Sequence, residues 1–162
     1  MGQGRYCSYF DGCRLNYSSF DGGGYTIYNL KITRPDGYDN VGLFAKLGSR
    51  AVGIKNLTIN GVDIDAGTNN NVGAIVGNSS YCYGLISNCH VIFNQGSKIT
   101  GNNAVGGVAG ELKNTEIKDC KVISNINENV IIGNSSVGGL IGYLEQSASQ
   151  LLLYNCHVQA DI

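Results

Sequence analysis

The residues able to do chemistry in this 162-residue chain are few: eight Asp, four Glu, two His and six Cys. Glycoside hydrolysis needs two carboxyl groups facing one cleft. The nearest approach to such a pair is Asp63 and Asp65, both outward on the strand Val62-Asp63-Ile64-Asp65. Repeat arithmetic sets Gln95 and Ser97 near them on the following unit, not acids. Glu111 and Glu116 flank an expected loop, and Glu128 and Glu145 stand apart. The acids therefore read as solvated strand-face carboxylates. Asp36-Gly37-Tyr38-Asp39-Asn40 offers oxygens of the kind calcium takes. It lacks the twelve-position loop pattern and reads as a plain turn. There is no Gly-x-Ser-x-Gly elbow, phosphate loop or CxxC pair. No catalytic residue, cofactor or metal ligand is expected.

The elements that would carry these residues follow from composition. The chain holds 24 Gly, 19 Asn, 16 Ile and 12 Val, but 1 Pro and no Trp. Gly, Asn and β-branched residues are poor helix formers, which argues against a helical bundle. The 43% apolar content argues against disorder. A net charge of -1 leaves no footprint for nucleic acid, and no apolar run is long enough to insert in a membrane. An all-β chain with Gly/Asn turns remains.

Two motifs recur in phase. Val41-Gly42-Leu43-Phe44-Ala45, Val72-Gly73-Ala74-Ile75-Val76-Gly77, Val105-Gly106-Gly107-Val108-Ala109-Gly110 and Val137-Gly138-Gly139-Leu140-Ile141-Gly142 start 31, 33 and 32 residues apart. Between them fall Ile27–Ile32, Ile54–Ile59, Ile86–Val91, Ile117–Val122 and Leu153–Val158, each with Asn or Asp at its third position. A unit this short cannot bury its own apolar face, but stacked copies can. The expected fold is an all-β, right-handed parallel β-helix, a solenoid of about four to five coils of ~32 residues. Residues 1–19 are expected as an N-terminal cap or partial coil, and 20–162 as β-helix repeats continuing in a longer protein. A β-propeller is the rival, but its one hairpin signal, Asn60-Gly61, is not repeated.

Aligning the units predicts stacks. Asn29, Asn56, Asn88, Asp119 and Asn155 form a corner ladder, with Asp119 breaking the run because a carboxylate cannot donate. Asn suits the corner because it tolerates left-handed backbone. Leu30, Leu57, Cys89, Cys120 and Cys156 stack inward, as do Ile32, Ile59, Val91, Val122 and Val158. The outward column reads Lys31, Thr58, His90, Lys121 and His157, a mildly basic polar face. Cys89, Cys120 and Cys156 are expected as buried free thiols acting as small apolar residues. Pairing of Cys7, Cys13 and Cys82 is left open. Six of the ten tyrosines lie in the first 38 residues, among them Tyr6, Tyr9 and Tyr17. They are read as capping the first coil and as candidate surface contacts.

Phe20-Asp21-Gly22-Gly23-Gly24-Tyr25-Thr26-Ile27-Tyr28-Asn29-Leu30 and the Val-Gly-Gly-Leu-Ile-Gly copies resemble bacterial surface repeats carrying the GLUG motif. The likeness spans about residues 20 to 158, though Leu43 and Ala74 fill a slot that is Gly107 and Gly139 in later copies. The resemblance implies a β-helix from a secreted or surface-attached bacterial protein of the adhesin-like, filamentous-haemagglutinin type. It carries no shared catalytic residues.

The resulting expectation is a non-enzymatic β-helical segment, an adhesin-like stalk or a binding and presentation module. Its partners would be a host or glycan surface ligand, or copies of itself head to tail; no nucleic acid and no membrane insertion are expected. The alternatives are an end-to-end filament subunit and a fragment of a polysaccharide-active β-helix enzyme. Neither a signal peptide nor an anchor is expected within these residues.

Overall fold

A computed structural model describes residues 14–15, 18–48, 53–79, 84–145 and 153–162. The described chain is all-β, and every strand pairing in it is parallel. Partners lie about one repeat apart, so the chain winds as a β-solenoid of about four coils; each turn adds one strand to each of the two smaller sheets and up to three to the largest. One sheet stacks Arg14–Leu15, Phe44–Leu47, Val76–Ser79, Ala109–Lys113 and Ile141–Glu145. A second stacks Val72–Gly73, Asn103–Gly106 and Ser135–Gly138. The third and widest is built on Thr26–Thr33, Gly53–Asp65 and Leu85–Phe93.

The core is a set of vertical apolar stacks. Ile54 lies under Ile86 and Ile117, and Ile64 under Ile99 and Ile131. All six are at most 1% exposed. Each such side chain contributes about 1.5–3 kcal/mol by leaving water. Phe20 and Phe44 meet with ring centroids 5.2 Å apart in the first coil.

Corners restore the in–out phase. The strand Gly53–Asp65 buries Ile54, then Leu57 and Ile59, then Val62 and Ile64. Its alternation resets at Asn56 (φ 56°) and again at Gly61 (φ 79°). Asn60-Gly61 is thus a bend inside a parallel strand, not a hairpin. Asn29, Asn56, Asn88, Asp119 and Asn155 all adopt the left-handed conformation, φ 49–56°. That conformation excludes most side chains but costs Asn little.

The Val-Gly motif brings backbone against backbone. A Cβ at Gly106 would sit 2.2 Å from the Ala109 carbonyl oxygen. One at Gly110 would sit 2.3 Å from the backbone of Asn71 and Val72 on the coil before. Glycine here serves both a tight corner and backbone-to-backbone packing between two sheets.

The first copy of the Asn motif is out of the expected register. Ile27 pairs with Ile59, Leu30 with Val62, Lys31 with Asp63 and Ile32 with Ile64. Phe20-Asp21 takes the place beside Ile54-Lys55 instead. Asn29 therefore stacks on Gly61 and is not a rung of the Asn56–Asn88 corner. Leu30, Ile32 and Lys31 likewise leave their expected columns, with Ile27 and Thr26 standing below Ile59 and Thr58. The register slip has a physical reason: each coil has two corners of the same chemistry, and Ile59-Asn60-Gly61-Val62-Asp63-Ile64 matches the first copy as well as Ile54–Ile59 does.

Of the expected cap over 1–19, Arg14–Leu15 already pairs in the solenoid, with Lys46-Leu47. Tyr6, Tyr9, Tyr17, Cys7, Cys13 and Cys82 lie outside the described residues.

Candidate functional site

Side-chain amides bind coil to coil at several corners. Asn56 donates to Asp21 at 3.0 Å, and Asn88 to Asn56 at 2.9 Å. Asn155 donates to Asp119. Sequence alignment missed two further ladders. In one, Asn70 donates to Asp39, Asn102 to Asn70 and Asn134 to Asn102, at 2.8–3.1 Å. In the other, Asn94 donates to Asn60 and Asn125 to Asn94. Their signal was in plain view, since Asp39, Asn70, Asn102 and Asn134 are 31, 32 and 32 residues apart. They sit outside the two recurrent motifs and so escaped the alignment.

Carboxylates are largely committed to the scaffold. Asp21 accepts from the Gly23 N–H, from Asn56 and from Lys55, which hold its carboxyl down at about 2. Asp36 accepts from the Thr68 N–H at 2.8 Å, which also holds its carboxyl below the usual range. Asp39 receives both the backbone and side-chain N–H of Asn70. One oxygen of each carboxylate in the 36–40 turn is thus held by the next coil. Asp65 accepts from the Gly67 N–H and the Thr100 hydroxyl. Asp63 pairs with Lys31 at 2.8 Å, an exposed bridge that solvent screens. The residues above Asp63 and Asp65 are Lys98 and Thr100, not Gln95 and Ser97. The expected register fails because the upper coil is longer at this corner.

That extra length shapes a groove. Five residues, 93–97, lie between the pairings Asn60↔Ile92 and Asp63↔Lys98, where the lower coil has two, 61 and 62. The surplus folds into a turn closed by Ser97 N–H to the Asn94 carbonyl at 2.8 Å, with the Ser97 hydroxyl accepting from the Asn94 N–H. Asn29, Lys31, Gly61 and Asp63 line the groove beneath Gln95-Gly96-Ser97. The strand leading into the Asn29 corner carries Tyr28, 67% exposed, and Tyr25, 79% exposed, lies just before it. These two rings do not bury the open end of the coil, contrary to the capping role read from the sequence. Their hydroxyls give them enough solubility to stand in water.

The outer column runs Thr26, Thr58, His90, Lys121 and His157 in register. Partial burial first, and then the Lys121 ammonium, push the His90 imidazole below its ordinary value. A neutral imidazole under an ammonium does not make a cation site. Among the described residues no three His, Cys, Asp or Glu gather around one point, and no helix is long and apolar enough to cross a membrane.

Cys89, Cys120 and Cys156 form one column above Leu57, all free thiols, the first two fully buried and Cys156 partly so. Each thiol donates to the carbonyl two residues back, at 3.3, 3.2 and 3.3 Å.

No protein-family model, curated protein or solved structure matches the chain.

Proposed function

We propose that this chain is a non-enzymatic binding and presentation segment of a secreted or cell-surface bacterial protein, adhesin-like in role, that meets carbohydrate through the groove beside Tyr28. The observation that carries this reading is a polar groove lined by Asn29, Lys31 and Asp63, with the exposed Tyr28 one residue before Asn29. Aromatic faces stack on sugar rings, and a few fixed polar groups orient the hydroxyls. Lys31 supplies donors, and Asp63 and Asn29 supply acceptors. The committed state of Asp21, Asp36, Asp39 and Asp65 supports binding over hydrolysis.

The test is a glycan array probed with the purified protein, followed by Tyr28→Ala and Lys31→Ala. Binding without turnover that drops at least tenfold in Tyr28→Ala supports the reading. Depolymerisation of any glycan, lost in Asp63→Asn, overturns it.

A further inference from the structure

The corner ladders follow one rule. The amide N–H of an upper residue meets Oδ1 of the residue one coil below, at 2.6–3.1 Å in Asn56–Asp21, Asn88–Asn56, Asn94–Asn60 and Asn102–Asn70. Asn29 departs from it. Tyr28 pairs with Asn60 and Leu30 with Val62, so Asn29 stands level with Gly61, and both take left-handed backbone at φ 53° and 79°. Gly61 has no side chain to donate. The Asn29 carboxamide still aims its oxygen at the coil above, since a Cβ at Gly61 would lie 2.7 Å from Asn29 Oδ1. One coil further on, the surplus turn carries Gln95-Gly96-Ser97 over the same place as a roof. Among the described residues, no hydrogen-bond donor meets this oxygen. The space it faces is bounded by three successive coils, at 29–31, 61–63 and 95–97.

We propose, resting on the carbohydrate reading above, that this groove recognises an N-acetylated amino sugar, whose acetamido N–H donates to Asn29 Oδ1 as an upper-coil asparagine does in the other ladders. A secondary amide carries the one N–H and the one carbonyl that a rung uses.

The rest of the lining suits the rest of the group. Lys31 gives one N–H to Asp63 at 2.8 Å and keeps two more for the acetamido carbonyl. Leu30 and Val62 are the apolar members of the lining, and they take the methyl. A plain sugar hydroxyl in the same place also donates to Asn29, but it leaves the Lys31 and apolar contacts unmade. A free amino sugar sets an ammonium beside the Lys31 ammonium, which repels it. The acetyl group is therefore what separates the sugars this groove takes from those it does not.

The test titrates the full chain with oligomers of N-acetylglucosamine, of glucosamine and of glucose in one linkage, and with the matching members of the galactose series. The acetylated member of at least one series should bind about tenfold more tightly than its two counterparts. Asn29→Gly keeps the left-handed corner and removes the acceptor. It should bring that ratio close to one while the β-sheet circular dichroism signal stays unchanged. Asn29→Asp keeps an acceptor oxygen at a corner that Asp tolerates, and should preserve the ratio. Tyr28→Ala should weaken acetylated and plain oligomers alike. Equal affinity for all three members in both series, or an acetyl preference that survives Asn29→Gly, would overturn the acetamido site and leave the carbohydrate reading in place. Binding to no saccharide, on the array or in these titrations, removes both.

Discussion

Asn88 and Asp119 occupy the same corner on adjacent coils, yet no hydrogen bond joins them, although Asn88 donates down to Asn56 and Asp119 accepts from Asn155. The gap is chemical. Asn88 has already turned its amide N–H toward the coil before it, so its oxygen faces a carboxylate that has nothing to donate. Asp119→Asn supplies the missing N–H and keeps an acceptor for Asn155. Stability should increase by about 1 kcal/mol, read as a higher urea midpoint with unchanged m-value. An unchanged or lower midpoint would show that the corner tolerates the break at no cost.

The ladder amides and the corner backbone can be separated. Asn102 links Asn70 and Asn134 without positive φ, so Asn102→Ala should cost about 1–2 kcal/mol from hydrogen bonding. Asn88 adds a left-handed backbone at φ 49°. Asn88→Ala should therefore be worse than Asn88→Gly by about 1 kcal/mol. Equal effects of the two Asn88 variants would contradict the corner assignment.

Asp21 makes acid sensitivity specific. Its folded pKa of about 2 lies below the value of about 4 for an unfolded Asp. The stability it contributes is present above about pH 4 and disappears as pH falls through about 2. Asp21→Asn should flatten the fall in denaturation midpoint between those limits relative to the parent protein. Asp36, also lowered, keeps a residual slope in both. Superimposable pH profiles would remove Asp21 from the account.

Glycine in the Val-Gly motif should be irreplaceable where backbone meets backbone. Gly110→Ala forces a methyl to 2.3 Å from Asn71 and Val72 and should cost at least ~3 kcal/mol. Gly53→Ala meets its nearest atom, the Ser19 hydroxyl oxygen, at 3.4 Å and should stay within about 1 kcal/mol of the parent. Thermal melting of the two variants side by side measures the contrast.

The coil period, the inward Ile and Val stacks and the Asn corners were legible in the sequence because each is a spacing repeated several times. Register in the first coil was not. Ile27-Tyr28-Asn29-Leu30 satisfies either of the two corners, and only the pairing of Phe20-Asp21 with Ile54-Lys55 decides between them. The groove was hidden for a related reason. It arises from a length difference between coils at residues 93–97, and a motif shared by all units carries no trace of what one unit adds. Exposure of Tyr25 and Tyr28 was equally out of reach, since their sequence position fits a cap as well as a surface.

The corner ladders also share a direction. From Asn56, Asn70, Asn71, Asn88, Asn94, Asn102, Asn125, Asn134 and Asn155, the amide N–H points toward the preceding coil. Aligned amide dipoles add along the column, as peptide dipoles add along a helix. The solenoid is in this sense an electret, with its positive pole at the first coil and its negative pole at the last. Asp21 and Asp39 sit at the positive pole of their columns, the place where a negative charge is most stabilised, and Asp119 opens a second, shorter column partway along.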